Sequence, residues 1–226
     1  LFLFGSVISM AAERAPQYCL DLTSLNLPDA TVSVAEIVAA GEFLPPSANN
    51  RAARDTSPAA QRRNRIYQGL PAFCRVAVNL QPSSDSDIKM EIWLPTDGWN
   101  GKFLAVGNGA FRGNVRYRAM VDPLGRGYAS SSTDTGHLGN TASFGLNHPE
   151  KVIDFGWRAV HEMTVASKTI VAAYYGQGPR HSYWNGCSAG GRQAMQEAQR
   201  FPEDYDGIIA GAPGLDWTGR AAAALR

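Results

Sequence analysis

Residues 185–202 read NGCSAGGRQAMQEAQRFP, which sets Ser188 between Gly186 and Gly190. A serine hydroxyl acts as a nucleophile when a base takes its proton and fixed donors stabilise the charge that develops on the attacked carbonyl. Gly-x-Ser-x-Gly suits that chemistry when it sits on a sharp turn from a strand into a helix. The turn holds the serine at a strained backbone conformation and lifts its hydroxyl above the sheet, and small residues two positions away on either side avoid clashes. The helix that follows aims its first amides at the same place, so the Ala189 amide is one expected oxyanion donor. The second is expected from a glycine-rich loop after an earlier strand. AVGNGAFRG, 105–113, stands in that position, with the Gly109 amide, or that of its neighbour Ala110, as the candidate. The competing readings are a Gly/Ser loop that merely turns the chain into a helix, and a simple turn at 105–113.

A base is harder to find. His137, His148, His161 and His181 all precede Ser188, whereas the chain order for this arrangement is serine, acid, histidine. His161 lies inside a helical pattern and reads as a hydrogen-bonded structural residue. His148, just before Pro149, reads as a loop or cap residue. His181 lies on the strand leading to Ser188, and His137, in STDTGH, is expected to organise a loop with Asp134. The base is therefore expected outside this chain.

The elements that would carry these residues follow from hydrophobic period. DIKMEIWLP, 87–95, alternates apolar Ile88, Met90, Ile92 and Leu94 with Lys89, Glu91 and Trp93, which predicts a half-buried strand. FLAVG, 103–107, is a short buried strand after a turn at 98–102, and YASSSTD, 128–134, is a weaker third strand. From Val152 to Gly176, apolar residues recur at three- and four-residue steps (Val152, Phe155, Ala159, Met163, Ala166, Ile170, Tyr174), which predicts one long amphipathic helix. RHSYWNG gives a strand, GRQAMQEAQRFP a helix closed by Pro202, and YDGIIAGAP a further buried strand. This alternation predicts an α/β protein with a parallel sheet and helices on both faces. The residues before 85 read less clearly, as a small subdomain or a meander.

Of 226 residues, 44% are hydrophobic and 18% charged, with a net charge of +1, an ordinary globular composition. No basic face offers itself to nucleic acid. The apolar run from Leu1 to Ile8 is too short to span a bilayer, which leaves no expected membrane partner. With Ser9-Met10-Ala11 after it, the run reads as the tail of a secretory signal over residues 1–11, the other reading being a buried strand. Residues 12–226 would then form one partial catalytic domain, secreted or periplasmic. Pro45 to Arg65 is the one stretch that suggests disorder. Of the three cysteines, Cys19 and Cys74 could pair, which leaves Cys187 alone beside Ser188.

GCSAGGRQAMQEAQRFPEDYDGIIAGAP, 186–213, resembles the tannase and feruloyl esterase family, which also includes the hydrolase of mono(2-hydroxyethyl) terephthalate. NGKFLAVGNGAF, SSTDTGH and HPEKVIDFGWRAVH are similar to it too. The resemblance is clear from about residue 70 onward and extends back to Cys19. It implies an α/β-hydrolase fold acting on small-molecule esters of aromatic acids, of which this chain carries the N-terminal, nucleophile half, without the lid domain and the last strands. It implies Ser188 as nucleophile, a Cys19–Cys74 disulfide, and a Cys187 bonded to a cysteine beyond residue 226, next to the catalytic histidine. The family's calcium site would lie in the lid, so no cofactor or metal is expected here. A non-catalytic binding protein of the same fold and a generic carboxylesterase are the rival readings, and the sequence leaves the oligomeric state open.

Overall fold

The computed structural model describes residues 18–46, 57–216, 219, 222 and 223. The expected signal segment, 1–11, lies outside them. The strands are β1 (Ala30–Val38), β2 (Phe73–Leu80), β3 (Ile88–Pro95), β4 (Lys102–Val106), β5 (Ala129–Thr133), β6 (His181–Cys187) and β7 (Gly207–Gly211). They form one sheet in the order β1-β2-β3-β5-β4-β6-β7. The helices are α1 (Pro58–Asn64), α2 (Tyr117–Gly125), α3 (Pro149–Ile153), α4 (Ala159–Tyr175) and α5 (Ala189–Arg200).

The expected parallel sheet is found only from β5 to β7. β1, β2, β3 and β5 pair antiparallel, so the sheet is mixed. The reason lies in the connections, because parallel neighbours need a long crossover whereas antiparallel ones accept a short link such as 81–87. The residues before 85 thus extend the main sheet as a meander. The disulfide Cys19–Cys74 pins the segment ahead of β1 to β2, with both cysteines fully buried and their Cα atoms 5.7 Å apart. Within the stretch read as disordered, Pro58–Asn64 is helical, and buried Tyr67 just beyond it packs edge-on against Phe43. Residues 47–56 lie outside the description.

β3 is not half-buried but buried along almost its whole length. Ile88, Met90, Ile92 and Leu94 join a core with Met163, Ile170 and Ala194 of α4 and α5 on one face. Trp93 joins a second core on the other face, with Phe43, Phe73, Met120 and Leu124. Glu91 is tolerated there because Arg75, Tyr117 and the Trp93 indole N–H all donate to it. Among the described residues β7 is the last strand of the sheet, and Ile209 there is 63% exposed.

The single long helix expected over 152–176 is divided. A π-turn, Asp154–Arg158, separates α3 from α4, and Val152 is exposed rather than buried. A π-turn shifts carbonyls out of the helical ladder. Here the Arg192 guanidinium of α5 takes two of them, those of Phe155 and Gly156, at 3.0 and 2.8 Å. α4 then ends as read, at Gly176 in the left-handed conformation.

Two buried carboxyls give the fold a pH dependence. Burial, reinforced by the neighbouring Asp204 charge, pushes the pKa of Glu197 up to about 8. Neither Glu197 oxygen meets a donor, so the contact with Asp204 becomes a hydrogen bond only when Glu197 carries a proton. Burial likewise raises Asp134 to about 7, against the lowering effect of the Gly136 and Lys89 amides. Both pKa values lie above those of an unfolded chain, so the folded state binds the extra protons. Their stabilisation is complete below about pH 4 and is lost as pH rises towards 8. Glu197→Gln, a neutral isostere, is therefore expected to gain stability relative to the parent protein at pH 8 but not at pH 4. Denaturant midpoints at the two pH values check this, and an equal difference at both would refute the assignment.

Candidate active site

The order of strands predicts where a site belongs. From β4 the chain moves through α2 to β5 on one side, and the strand on the other side of β4 is β6. Loops leaving the carboxyl ends of β4 and β6 therefore diverge and open a crevice at a topological switch point. The loop after β4 is 107–109, and the residue after β6 is Ser188.

Ser188 takes φ 60° and ψ −116°, a conformation rare for a non-glycine residue. Three backbone hydrogen bonds hold it there. Its N–H donates to the Gly211 carbonyl at 2.9 Å, and its carbonyl accepts from Arg192 at 3.0 Å and Gly214 at 3.2 Å. Gly186 is required, because a Cβ there would lie 2.3 Å from the Gly190 carbonyl oxygen. Ser188 itself is exposed, and its hydroxyl has no hydrogen-bond partner among the described residues. It faces a cavity of about 980 Å³ that runs along the α2 side of β4, β6 and β7.

The loop after β4 comes up against the start of α5. A Cβ on Gly107 would lie 2.6 Å from the Gly190 Cα, so the two backbones meet where only glycine fits. Several amides here are already engaged. Gly107 donates to the Asn185 carbonyl at 3.0 Å, Gly190 to the Asn108 carbonyl at 2.9 Å, and Asn108 to Gln193 Oε1 at 3.0 Å. The amides of Ala189, Gly109 and Ala110 have no acceptor among the described residues. Of the two sequence candidates on this loop, Gly109 lines the cavity.

Sequence reasoning missed Gln193 and Asn108. Gln193 is 1% exposed; besides accepting from the Asn108 amide, its Nε2 donates to Asn108 Oδ1 at 3.3 Å. Asn108 Nδ2 in turn donates to the carbonyls of Thr133 and Asn114. One side chain of α5 thus fixes the height of the glycine loop. The one signal in the sequence is a glutamine five residues after the serine, and it is indistinguishable there from a solvated helix face. Gln193→Leu leaves two buried polar groups of Asn108 without partners, at about 1–3 kcal/mol each. A loss of about 3 kcal/mol is expected in urea denaturation of the full-length protein, and a change within about 0.5 kcal/mol would contradict this role.

None of the four histidines lines the cavity. His137 is buried, its Nε2 2.8 Å from the Phe111 carbonyl and its ring stacked on Phe144, while Asp134 holds the same loop through the Lys89 and Gly136 amides. His161 donates Nδ1–H to Asp204 at 2.7 Å and stacks on Phe201. His148 precedes α3 and pairs with Asp85, without a side-chain cap bond. His181 is exposed at the start of β6. His161, Glu197 and Asp204 are the described residues whose ligand atoms gather closely enough to hold a cation, all within 4.8 Å. They sit towards the far end of α5 from Ser188. Cys187 is free and exposed, and no described helix is long and apolar enough to cross a membrane.

The chain is 40% identical, over 98% of its length, to an uncharacterised esterase of Xanthomonas campestris pv. campestris, of which it covers 36%. It is 45% identical over 145 residues to a probable feruloyl esterase B-1 of Aspergillus fumigatus, covering 27% of that protein. The crystal structure of feruloyl esterase B from Aspergillus oryzae superposes with a TM-score of 0.76 at 38% identity, over 88% of this chain and 37% of the other. Tannin acyl hydrolase from Aspergillus niger shares the fold, with a TM-score of 0.63 at 24% identity. The chain thus spans about a third of the length of the relatives it matches, and the sheet with its turn into α5 is an α/β-hydrolase fold. The sequence profile described as "Tannase and feruloyl esterase" matches residues 74–226, well over half of the chain, and on that match the chain belongs to this family of carboxylic ester hydrolases.

Proposed function

We propose that the full-length protein hydrolyses esters of aromatic acids through Ser188. The observation that carries this reading is the strained, exposed Ser188, its hydroxyl unpartnered beside a cavity that Gly109 also lines, with the amides of Gly109 and of the adjacent Ala189 both without acceptors among the described residues. Strain held by three backbone bonds marks a conformation kept for use. Relatives named feruloyl esterase support hydroxycinnamate esters as the substrate class.

The reaction is two acyl transfers. A base takes the Ser188 proton, Oγ bonds to the ester carbon, and the Ala189 and Gly109 amides receive the negative carbonyl oxygen. The intermediate collapses by breaking the bond to the alcohol oxygen, which leaves with that proton. Water then attacks the acyl-serine by the same route and releases the acid. The four histidines are engaged or face elsewhere, so we place the base and its acid partner in the remainder of the protein, with a cysteine there joined to Cys187. The buried Cys19–Cys74 disulfide supports function in an oxidising compartment, outside the cell or in a periplasm.

A fluorophosphonate tests the assignment directly. It should bond covalently to Ser188 in the full-length protein, found by peptide mass spectrometry, and inactivate in proportion. Ester turnover that persists with Ser188 unlabelled would remove the nucleophile from this site, and a protein neither labelled nor hydrolytic would be a binding protein on the same fold.

A further inference from the structure

Glycine imposes little conformational preference of its own, so the direction of the Gly109 N–H is set by the bonds on either side of it. Before it, the Asn108 carbonyl accepts from the Gly190 N–H of α5 at 2.9 Å. The peptide joining Asn108 to Gly109 is planar, so that bond also aims the Gly109 N–H. After it, the Gly109 carbonyl accepts from the Arg112 N–H at 3.0 Å, which closes a turn. All four polar groups of Asn108 are engaged. Besides its carbonyl, its N–H donates to Gln193 Oε1 at 3.0 Å, its Oδ1 accepts from Gln193 Nε2 at 3.3 Å, and its Nδ2 donates to the Thr133 carbonyl at 2.9 Å. Gln193 is 1% exposed and Asn108 3%, so nothing beyond these residues is needed to complete the clamp. Gln193 follows Ala189 by four residues on α5, one turn along the same face. The Ala189 and Gly109 amides are thereby referred to a single helix.

We propose that Gln193, acting through Asn108, is a positioning residue for ester hydrolysis: it sets the Gly109 N–H against the Ala189 N–H at the spacing the developing oxyanion requires. The inference rests on the esterase reading, which supplies the two donors, and adds the side chain that aligns them. Such donors lower the barrier only if they are already aimed where charge will develop. The ground-state ester does not need that alignment, so a loss of it falls on kcat rather than KM.

The test uses the full-length protein, a methyl hydroxycinnamate and an aryl trifluoromethyl ketone. Ser188 Oγ bonds to the ketone carbon, its proton passes to the base, and the carbonyl electron pair stays on the oxygen between the two amides, with no leaving group. In folded Gln193→Leu, kcat should fall about a hundredfold, the lower end of what losing one oxyanion donor costs, with KM within a few fold. Affinity for the ketone should fall by about the same factor. The matching secondary alcohol, which forms no adduct, should bind parent and variant equally. Gln193→Glu keeps an acceptor for the Asn108 N–H and should recover part of both losses. It also carries the test if Gln193→Leu does not fold, with kcat and ketone affinity then falling together by about tenfold at constant KM. A folded variant with parental kcat overturns the proposal. So does an equal loss on ketone and alcohol, which would make Gln193 a support of the cavity alone. A parent protein that neither hydrolyses esters nor forms the adduct removes the esterase reading and this one with it, whereas an active parent with unaffected variants removes this one only.

Discussion

Ser188→Ala in the full-length protein should lower kcat for a methyl hydroxycinnamate by about a millionfold, as loss of the nucleophile does in comparable serine hydrolases. KM should stay within a few fold, because the cavity wall is otherwise intact. The same substitution should leave stability within about 0.5 kcal/mol of the parent protein, since the Ser188 hydroxyl has no protein partner to lose. That pair of outcomes is what distinguishes a nucleophile from a structural serine. A structural serine would show loss of stability with activity retained in the folded fraction. Hydrolysis at the parental rate would end the assignment whatever the stability. The backbone supplies an independent check. φ 60° at Ser188 is held by bonds to Gly211, Arg192 and Gly214, so Ser188→Gly should relieve strain and stabilise the protein by about 1 kcal/mol while abolishing turnover.

Removing the disulfide should have the largest effect on stability. Cys19 and Cys74 are 55 residues apart, and in the chain-entropy account a loop of that length contributes about 4 kcal/mol by restricting the unfolded chain. Cys19→Ala with Cys74→Ala should therefore lose about 4 kcal/mol in urea denaturation of the full-length protein. Both sulfurs are fully buried, so a mild reductant should leave the native bond intact and sever it only once denaturant opens the fold. A double variant within about 1 kcal/mol of the parent would show that packing around β1 and β2, rather than the cross-link, holds this segment. Loss of the bond should not change turnover in the folded fraction, because it lies on the far side of the sheet from Ser188.

The parts legible in the sequence were those whose residue types have a single local use. Gly186, Ser188 and Gly190 mark a turn that few other contexts require, and the structure places that turn where a strand meets α5. Cys19 and Cys74 were also readable as a pair. What could not be read depends on partners distant in sequence. Glu91 and Trp93 look like the wet face of β3 until Arg75, Tyr117 and Phe43 are seen to cover it. The π-turn at Asp154–Arg158 preserves the apolar recurrence closely enough that the pattern hides it, and Arg192, which satisfies it, lies more than thirty residues away. Gln193 shares this difficulty, because its role arises only where α5 meets the glycine loop.

The seam between the antiparallel and parallel halves of the sheet also orders assembly in time. β2 and β3 are neighbours in sequence and in space, so their pairing closes only a short loop. β4 must instead wait for β6, with α2, β5, α3 and α4 intervening, before the two strands can pair. Short-range pairing is fast, and pairing across long crossovers is slow. During synthesis the meander therefore emerges and can fold while the chain that will carry Ser188 is still being made. The strained turn forms after the meander, and the nascent chain remains without a nucleophile until that part of its scaffold is in place.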